Sequence, residues 1–238
     1  MTTKMLLCVP FCEKDQAKTY GAKWDSDLKK WYVSSDNIHL SKILERWEIN
    51  SDAIDLIGED RTFGGNALFI DMIPSTCWFT NVRSCIHPSD WDRVRNHVYE
   101  RASYTCECCN INTKEKTENG GLEAHERWEY DDIEKTQILR RIIALCHQCH
   151  QSTHMGLAGI LGKSGEAETH LQKVRGFTTN ELKLHKNTTS SLWRYRSGFS
   201  WRLDISIISQ NGIRIIKNIK TEERLTISNN NIDGSRNV

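Results

Sequence analysis

Leu145-Cys146-His147-Gln148-Cys149-His150-Gln151-Ser152-Thr153-His154 is the stretch that decides how the rest of the chain is read. It holds a Cys-x2-Cys pair that runs directly into a His-x3-His pair. A second Cys-x2-Cys, Cys106 and Cys109, lies upstream. Each thiol pair can pinch one metal from a tight turn, and the two pairs together supply the four soft ligands of a tetrahedral structural Zn2+. His150 and His154 are four residues apart and share one face of a helix, so both imidazoles can converge on a second metal beside the thiolates. The thiols speak for scaffolding and the histidines for chemistry.

Around this stretch lie 238 residues, 38% hydrophobic and 26% charged, enough for a sizeable core in one or two globular domains. The formal net charge is +1, so any nucleic-acid surface has to be a local patch. No apolar run approaches the roughly 20 residues of a membrane span, and Met5-Leu6-Leu7-Cys8-Val9-Pro10-Phe11 is too short for a signal-peptide core followed by a cleavage site. Nine cysteines are an odd number, and outside the zinc set Cys8, Cys12, Cys77, Cys85 and Cys108 form no paired framework. That pattern suits a reducing compartment, and the expectation is a cytoplasmic protein with no membrane partner.

The opening reads as a small β-rich module over residues 1–50. Leu6 to Phe11 is apolar, Glu13 to Tyr20 is a polar helical stretch stopped by Gly21, and Lys30 to Val33 is an aromatic strand. Trp24 and Trp31 are expected to fill its core, with a base-stacking platform as the competing reading. The pattern Val9-Pro10-Phe11, Glu13-Lys14-Asp15, Gly21-Ala22-Lys23-Trp24-Asp25 and Lys30-Trp31-Tyr32-Val33 resembles a small uncharacterised domain attached to plasmid primases and other DNA-processing proteins. The resemblance implies an association with DNA handling.

The zinc-stapled domain is expected over 60–176. It includes an apolar strand at Ala67 to Ile73, a helix capped by Ser89 that runs to about Ala102, and a strand at Leu122 to Tyr130. The return arm through Ile142-Ile143-Ala144-Leu145 reads equally as strand or helix. Helical signals follow at Glu166 to Val174, before Gly176, and at Thr178-Thr179-Asn180-Glu181, which has capping-box spacing. A C-terminal region over 177–228 adds a hairpin signal, with Trp201 to Ile208 and Gly212 to Lys217 joined at Gln210-Asn211-Gly212. Residues 229–238 read as a polar, disordered tail.

A strand carrying Leu122-Glu123-Ala124-His125, a return strand and a helix opening on Cys146-His147-Gln148-Cys149-His150 resemble the zinc-stapled HNH nuclease family. The stretch Ile73-Pro74-Ser75-Thr76-Cys77-Trp78-Phe79-Thr80-Asn81-Val82-Arg83-Ser84 is similar to a bacterial and phage subfamily. The resemblance implies an α+β fold with a ββα-metal core and structural zinc on Cys106, Cys109, Cys146 and Cys149. It also implies a catalytic Mg2+ or other divalent ion on His125, His150 and His154, and DNA as substrate. The residue after the first-strand ligand serves as general base, so His125 and Glu126 are the implied catalytic pair. Two positions depart from the pattern: Glu126 stands where a second histidine is usual, and Arg141 where an asparagine orients that base. In a regular strand Glu126 also points away from His125, whereas Glu123 shares the His125 face.

Lys183, Lys186, Arg194 and Arg196 lie in a run nearly free of acids. They are the candidate phosphate contacts, against the plainer reading of a solvated helix face. The function expected is metal-dependent cleavage of DNA. The alternative is a nuclease-inactive, zinc-stabilised DNA- or protein-binding module.

Overall fold

The computed structural model describes residues 4–26, 30–47, 56, 58–114, 121–209, 213–217 and 219–235. The chain divides into two compact units, Met1–Ile54 and Asp55–Val238. In the first, strand β1 (Lys4–Leu7), helix α1 (Lys14–Thr19), strands β2 (Lys23–Asp25) and β3 (Lys30–Ser34) and helix α2 (Leu40–Arg46) follow in order. β1 and β2 both pair antiparallel with the central β3. Alternation along β3 turns Trp31 and Val33 inward to meet Leu7, Ala17, Ile43 and Trp47. Gly21, at φ +85°, turns the chain from α1 into β2 in a conformation L side chains rarely adopt. The expected pair of core tryptophans is half realised. Trp31 is 9% exposed, but Trp24, on the edge strand, is 52% exposed and meets Trp31 edge-on at 5.6 Å.

The second unit opens with helices α3 (Val82–Cys85) and α4 (Pro88–Arg101), followed by a long antiparallel hairpin of β4 (Leu122–Asp131) and β5 (Thr136–Cys146). β5 leads straight into α5 (His147–Thr153) and α6 (Met155–Ile160). Then come α7 (Ser164–Arg175), α8 (Thr179–Ser197), strand β6 (Arg202–Asp204), the short α9 (Ser206–Ser209) and α10 (Thr221–Ser235). The molecule is therefore a mixed α+β protein with two three-stranded sheets. The ambiguous return arm is a strand, because every residue from Arg141 to Cys146 is buried and its backbone is paired with β4. Leu68, Ile70, Ile143, Leu145, Met155, Ala167, Leu171 and Leu182 pack with three of the zinc-pattern cysteines into one core.

Several expectations are realised and several are corrected. α7 ends on Gly176 at φ +66°, and the Thr178/Glu181 capping box opens α8. The cap of α4, however, is His87 with Pro88 at the first helical position, where a missing N–H costs nothing. Residues 67–73 form a strap rather than a strand, because their backbone polar groups go mostly to side chains, with Asp71 N donating to Thr153 O, instead of to a neighbouring strand. Arg127 donates to Ala67 O, Arg175 to Leu68 O and Thr153 Oγ1 to Phe69 O, while Ile70 N donates to His185 Nε2.

The C-terminal hairpin is likewise replaced. β6 pairs parallel with β5, and Asp204 Oδ1 then accepts from Ser206 N and turns the chain into α9. The expected turn at 210–212 lies outside the described residues. No boundary falls near 177, because Leu182 of α8 belongs to the same core as α5 and α7. α10 runs to Ser235, past the start of the expected tail. Arg224 and Ser228, one turn apart and both buried, pin it to Thr80, Gln137, Trp201 and Ser75. Packing rather than propensity sustains that helix.

Candidate metal centre

The first thiol pair sits in a knuckle that the α4 helix delivers to the head of the hairpin. Cys106 N donates to Ile111 O, Asn110 N donates back to Cys106 O, and Asn110 adopts the left-handed conformation the tight turn needs. The second pair brackets the β5–α5 junction, with Cys146 as the extended N-cap and Cys149 buried in the first turn. The four sulfurs lie within 4.8 Å of one another, and Cys109 Sγ is 3.6 Å from Cys146 Sγ. A tetrahedral ion with Zn–S bonds of about 2.3 Å sets its sulfurs roughly 3.8 Å apart, so the cluster has close to the span a zinc requires. Hydrogen bonds from Cys109, Cys146 and Cys149 hold the Cys106 thiol far below its ordinary value, and the same contacts push Cys146 and Cys149 up. The protons trapped in that network are what a metal displaces.

His170 of α7, which the sequence reading missed, brings its Nε2 to 3.2 Å from Cys149 Sγ. Cys108 faces elsewhere: burial pushes it up to about 11, and Arg127 is its nearest donor. Glu107, between the thiols, ties the knuckle to the hairpin. It accepts from Arg141 at 2.7 Å and from Ala144 N at 2.8 Å. Arg141, where the family pattern has an orienting asparagine, is thus buried as a strut that also donates to Gly65 O.

On the other side of the α5 turn, the ring nitrogens of His125, His150 and His154 also lie within 4.8 Å of one another. Their rings meet at steep angles, with centroids 4.5 to 5.5 Å apart. One carboxylate orients one of the three, and a second stands near another. His150 Nδ1 donates to Glu123 Oε2 at 2.8 Å, leaving Nε2 for the centre, and Asp71 Oδ2 stands 3.6 Å from His125 Nε2. That His125 nitrogen is buried without a hydrogen-bond partner. Glu123 also accepts from His147 Nδ1 at 2.9 Å, and the His150 bond holds it down to about 2. Burial, then the neighbouring imidazoles, lowers His154 to about 3, and burial likewise lowers His125. Both are neutral near pH 7, the form that ligates a cation. Three converging imidazoles, one backed by Glu123, fit a divalent transition metal, whereas Mg2+ would need further oxygen ligands to complete its set.

Residues 4–48 match the family model described as a domain of unknown function, DUF5710. The match lies on the first unit. No curated protein and no solved structure matches the chain.

The histidines open into a cleft of about 370 Å³. Glu126 lines it along with Asn81, Arg83, Trp91, Arg95, Tyr99 and Glu123. Glu126 occupies the opposite strand face from His125, as alternation requires. The register shift falls two residues further on, between Arg127 and Trp128. Its carboxylate accepts from Val82 N at 2.8 Å, at the start of α3, and burial pushes it up to about 7. The four basic residues singled out on α8 are placed less uniformly. Lys186 pairs with Glu168 and Arg196 lies over the Tyr130 ring, while Lys183 and Arg194 are exposed.

Proposed function

We propose that the second unit is a metal-dependent endonuclease of the HNH type acting on DNA, with zinc on the four cysteines and Mg2+ or a similar ion on His125, His150 and His154. The observation that carries this reading is the convergence of three imidazoles at the head of a strand–strand–helix unit, beside a four-thiol cluster. A divalent ion held there supplies Lewis acidity to a phosphodiester oxygen.

The protein's own groups do the rest. Glu123 fixes the His150 tautomer, and the Asp71 carboxylate stands beside His125. Glu126, on the cleft wall, takes the proton of the attacking water, and the buried Arg141–Glu107 strut keeps β5, and so the start of α5, in register. The resemblance of the first unit's own sequence pattern to a small module attached to DNA-processing proteins agrees with this reading.

A second reading is favoured by one contact. Glu126 is engaged by the α3 backbone, which suits a capping carboxylate as well as a base. Under that reading the unit binds DNA or protein and cleaves nothing. Plasmid nicking with Mg2+ or Mn2+ separates the two. His154→Ala is expected to abolish nicking while the protein retains one zinc, and Glu126→Gln to slow it on the order of 10²-fold. Absence of cleavage by the wild type with either ion, with zinc bound and the fold intact, decides for the binding module.

A further inference from the structure

The cleft has a second wall that the histidines do not explain. Trp91, Arg95 and Tyr99 recur every four residues along α4, so they form one stripe, and all three line the cavity that His125, His150 and His154 line from the strand and α5 side. Arg83, from α3, joins them. It is exposed and has no ion pair among the described residues. Arg95 Nε donates to Asp92 Oδ1 at 2.8 Å, which orients the guanidinium along the helix. The Tyr99 hydroxyl is engaged by Arg95 and the Ala124 backbone. The half-buried Trp91 indole N–H has no hydrogen-bond partner among the described residues, so its ring is held only by packing.

We infer that this wall is a nucleotide subsite: Arg83 and Arg95 take phosphates flanking the scissile bond, and the Trp91 ring stacks against an adjoining base. A guanidinium fork suits phosphate oxygens, and an aromatic face suits any base, so the subsite grips the backbone and tolerates sequence. It adds phosphate contacts in the cleft to those the exposed Lys183 and Arg194 of α8 could make. The assignment rests on the nuclease reading for its substrate class, but not on catalysis.

Binding of a fluorescein-labelled 16-nucleotide DNA, single-stranded and duplex, to the full chain without added divalent ion tests it. Arg83→Ala and Arg95→Ala are each expected to weaken binding equally across sequences. Each should also flatten the slope of log affinity against log salt by about 0.7 to 0.9. Trp91→Ala should weaken binding about 5- to 150-fold, with Trp91→Phe restoring most of it, and Lys163→Ala should change neither affinity nor slope. Melting curves confirm that each variant folds; if Trp91→Ala does not, Trp91→Phe and the two arginine variants still decide. These losses in a protein that does not cleave uphold the subsite and overturn the nuclease. Cleavage with unaltered KM and salt slope in the Arg83→Ala/Arg95→Ala protein overturns the subsite and leaves the nuclease standing. A wild-type chain that binds neither oligonucleotide overturns the subsite as well.

Discussion

At the scale of single residues, the strongest consequences come from charged groups with few but well-placed partners. Asp90 is fully buried and accepts from Arg214 N and Nε, both at 2.9 Å, and from Arg93 at 3.1 Å. Burial alone would raise it, but the two guanidiniums more than offset that and hold it below its ordinary value of 3.8. The unfolded state therefore binds the proton more readily, so the pair's contribution is complete above about pH 4 and is lost as pH falls below it. Asp90→Asn is expected to cost about 3 kcal/mol near neutral pH, the low end for a broken buried pair because Arg214 is part-exposed. It should also flatten the drop in melting temperature between pH 4.5 and 2.5. A mutant whose acid profile parallels the wild type would contradict the assignment.

His170 acts at the same scale through one hydrogen bond. His170→Ala should lower zinc affinity about 10- to 100-fold, the usual effect of losing a partner that orients a ligand. Competition with a chromophoric chelator measures this, and an unchanged half-point would make His170 a bystander.

At the scale of elements, what was legible in the sequence was whatever short spacing encodes. The two Cys-x2-Cys pairs, His150/His154 and the Thr178/Glu181 cap each lie within a few residues, and the structure brings each set together as its spacing implies. Glu123, Asp71 and His170 could not be assigned roles that way, because their partners arrive from other elements. The 67–73 strap was misread for a related reason. Leu68 and Ile70 are buried at alternate positions as in a strand, but most of its hydrogen-bond partners are side chains from four separate elements, which no local pattern announces. The Trp91, Arg95 and Tyr99 stripe did have a signal, a four-residue repeat on a helix flanked by buried Val94 and Val98.

Arg141 shows how alignment to a pattern can mislead. The side chain sits among Glu107, Gly65 and Asn66, away from the residues that line the histidine cleft. Arg141→Asn, which places the asparagine of the HNH pattern there, should therefore not raise cleavage and should destabilise the second unit by about 3 kcal/mol, the low end for a broken buried pair because Arg61 remains 3.7 Å from Glu107. Faster nicking by that variant would show that the residue faces the chemistry after all.

At the scale of the whole molecule, the two units have separate hydrophobic cores and different dependence on metal. The first is built on Leu7, Trp31, Val33, Ile43 and Trp47, with no cysteine of the four-thiol cluster in it. The second has Cys106, Cys146 and Cys149 inside its core, so loss of a metal bound there would open the core itself. Cys146→Ser, or chelation of wild-type protein, should leave fragments near 1–54 resistant to limited proteolysis while 55–238 is digested. Equal survival of both units after zinc removal would mean the thiol cluster is not structural.

α5 carries Cys149 and His150 as consecutive residues, one facing the thiol cluster and the other the histidine centre. The two clusters therefore share a single helical turn as their common wall. Thermodynamic linkage makes that sharing reciprocal: whatever factor zinc adds to the affinity for the second ion, the second ion adds to the affinity for zinc. An oxidant that strips the thiolates would thus silence the histidine site at a distance, and saturating divalent ion would slow the escape of zinc.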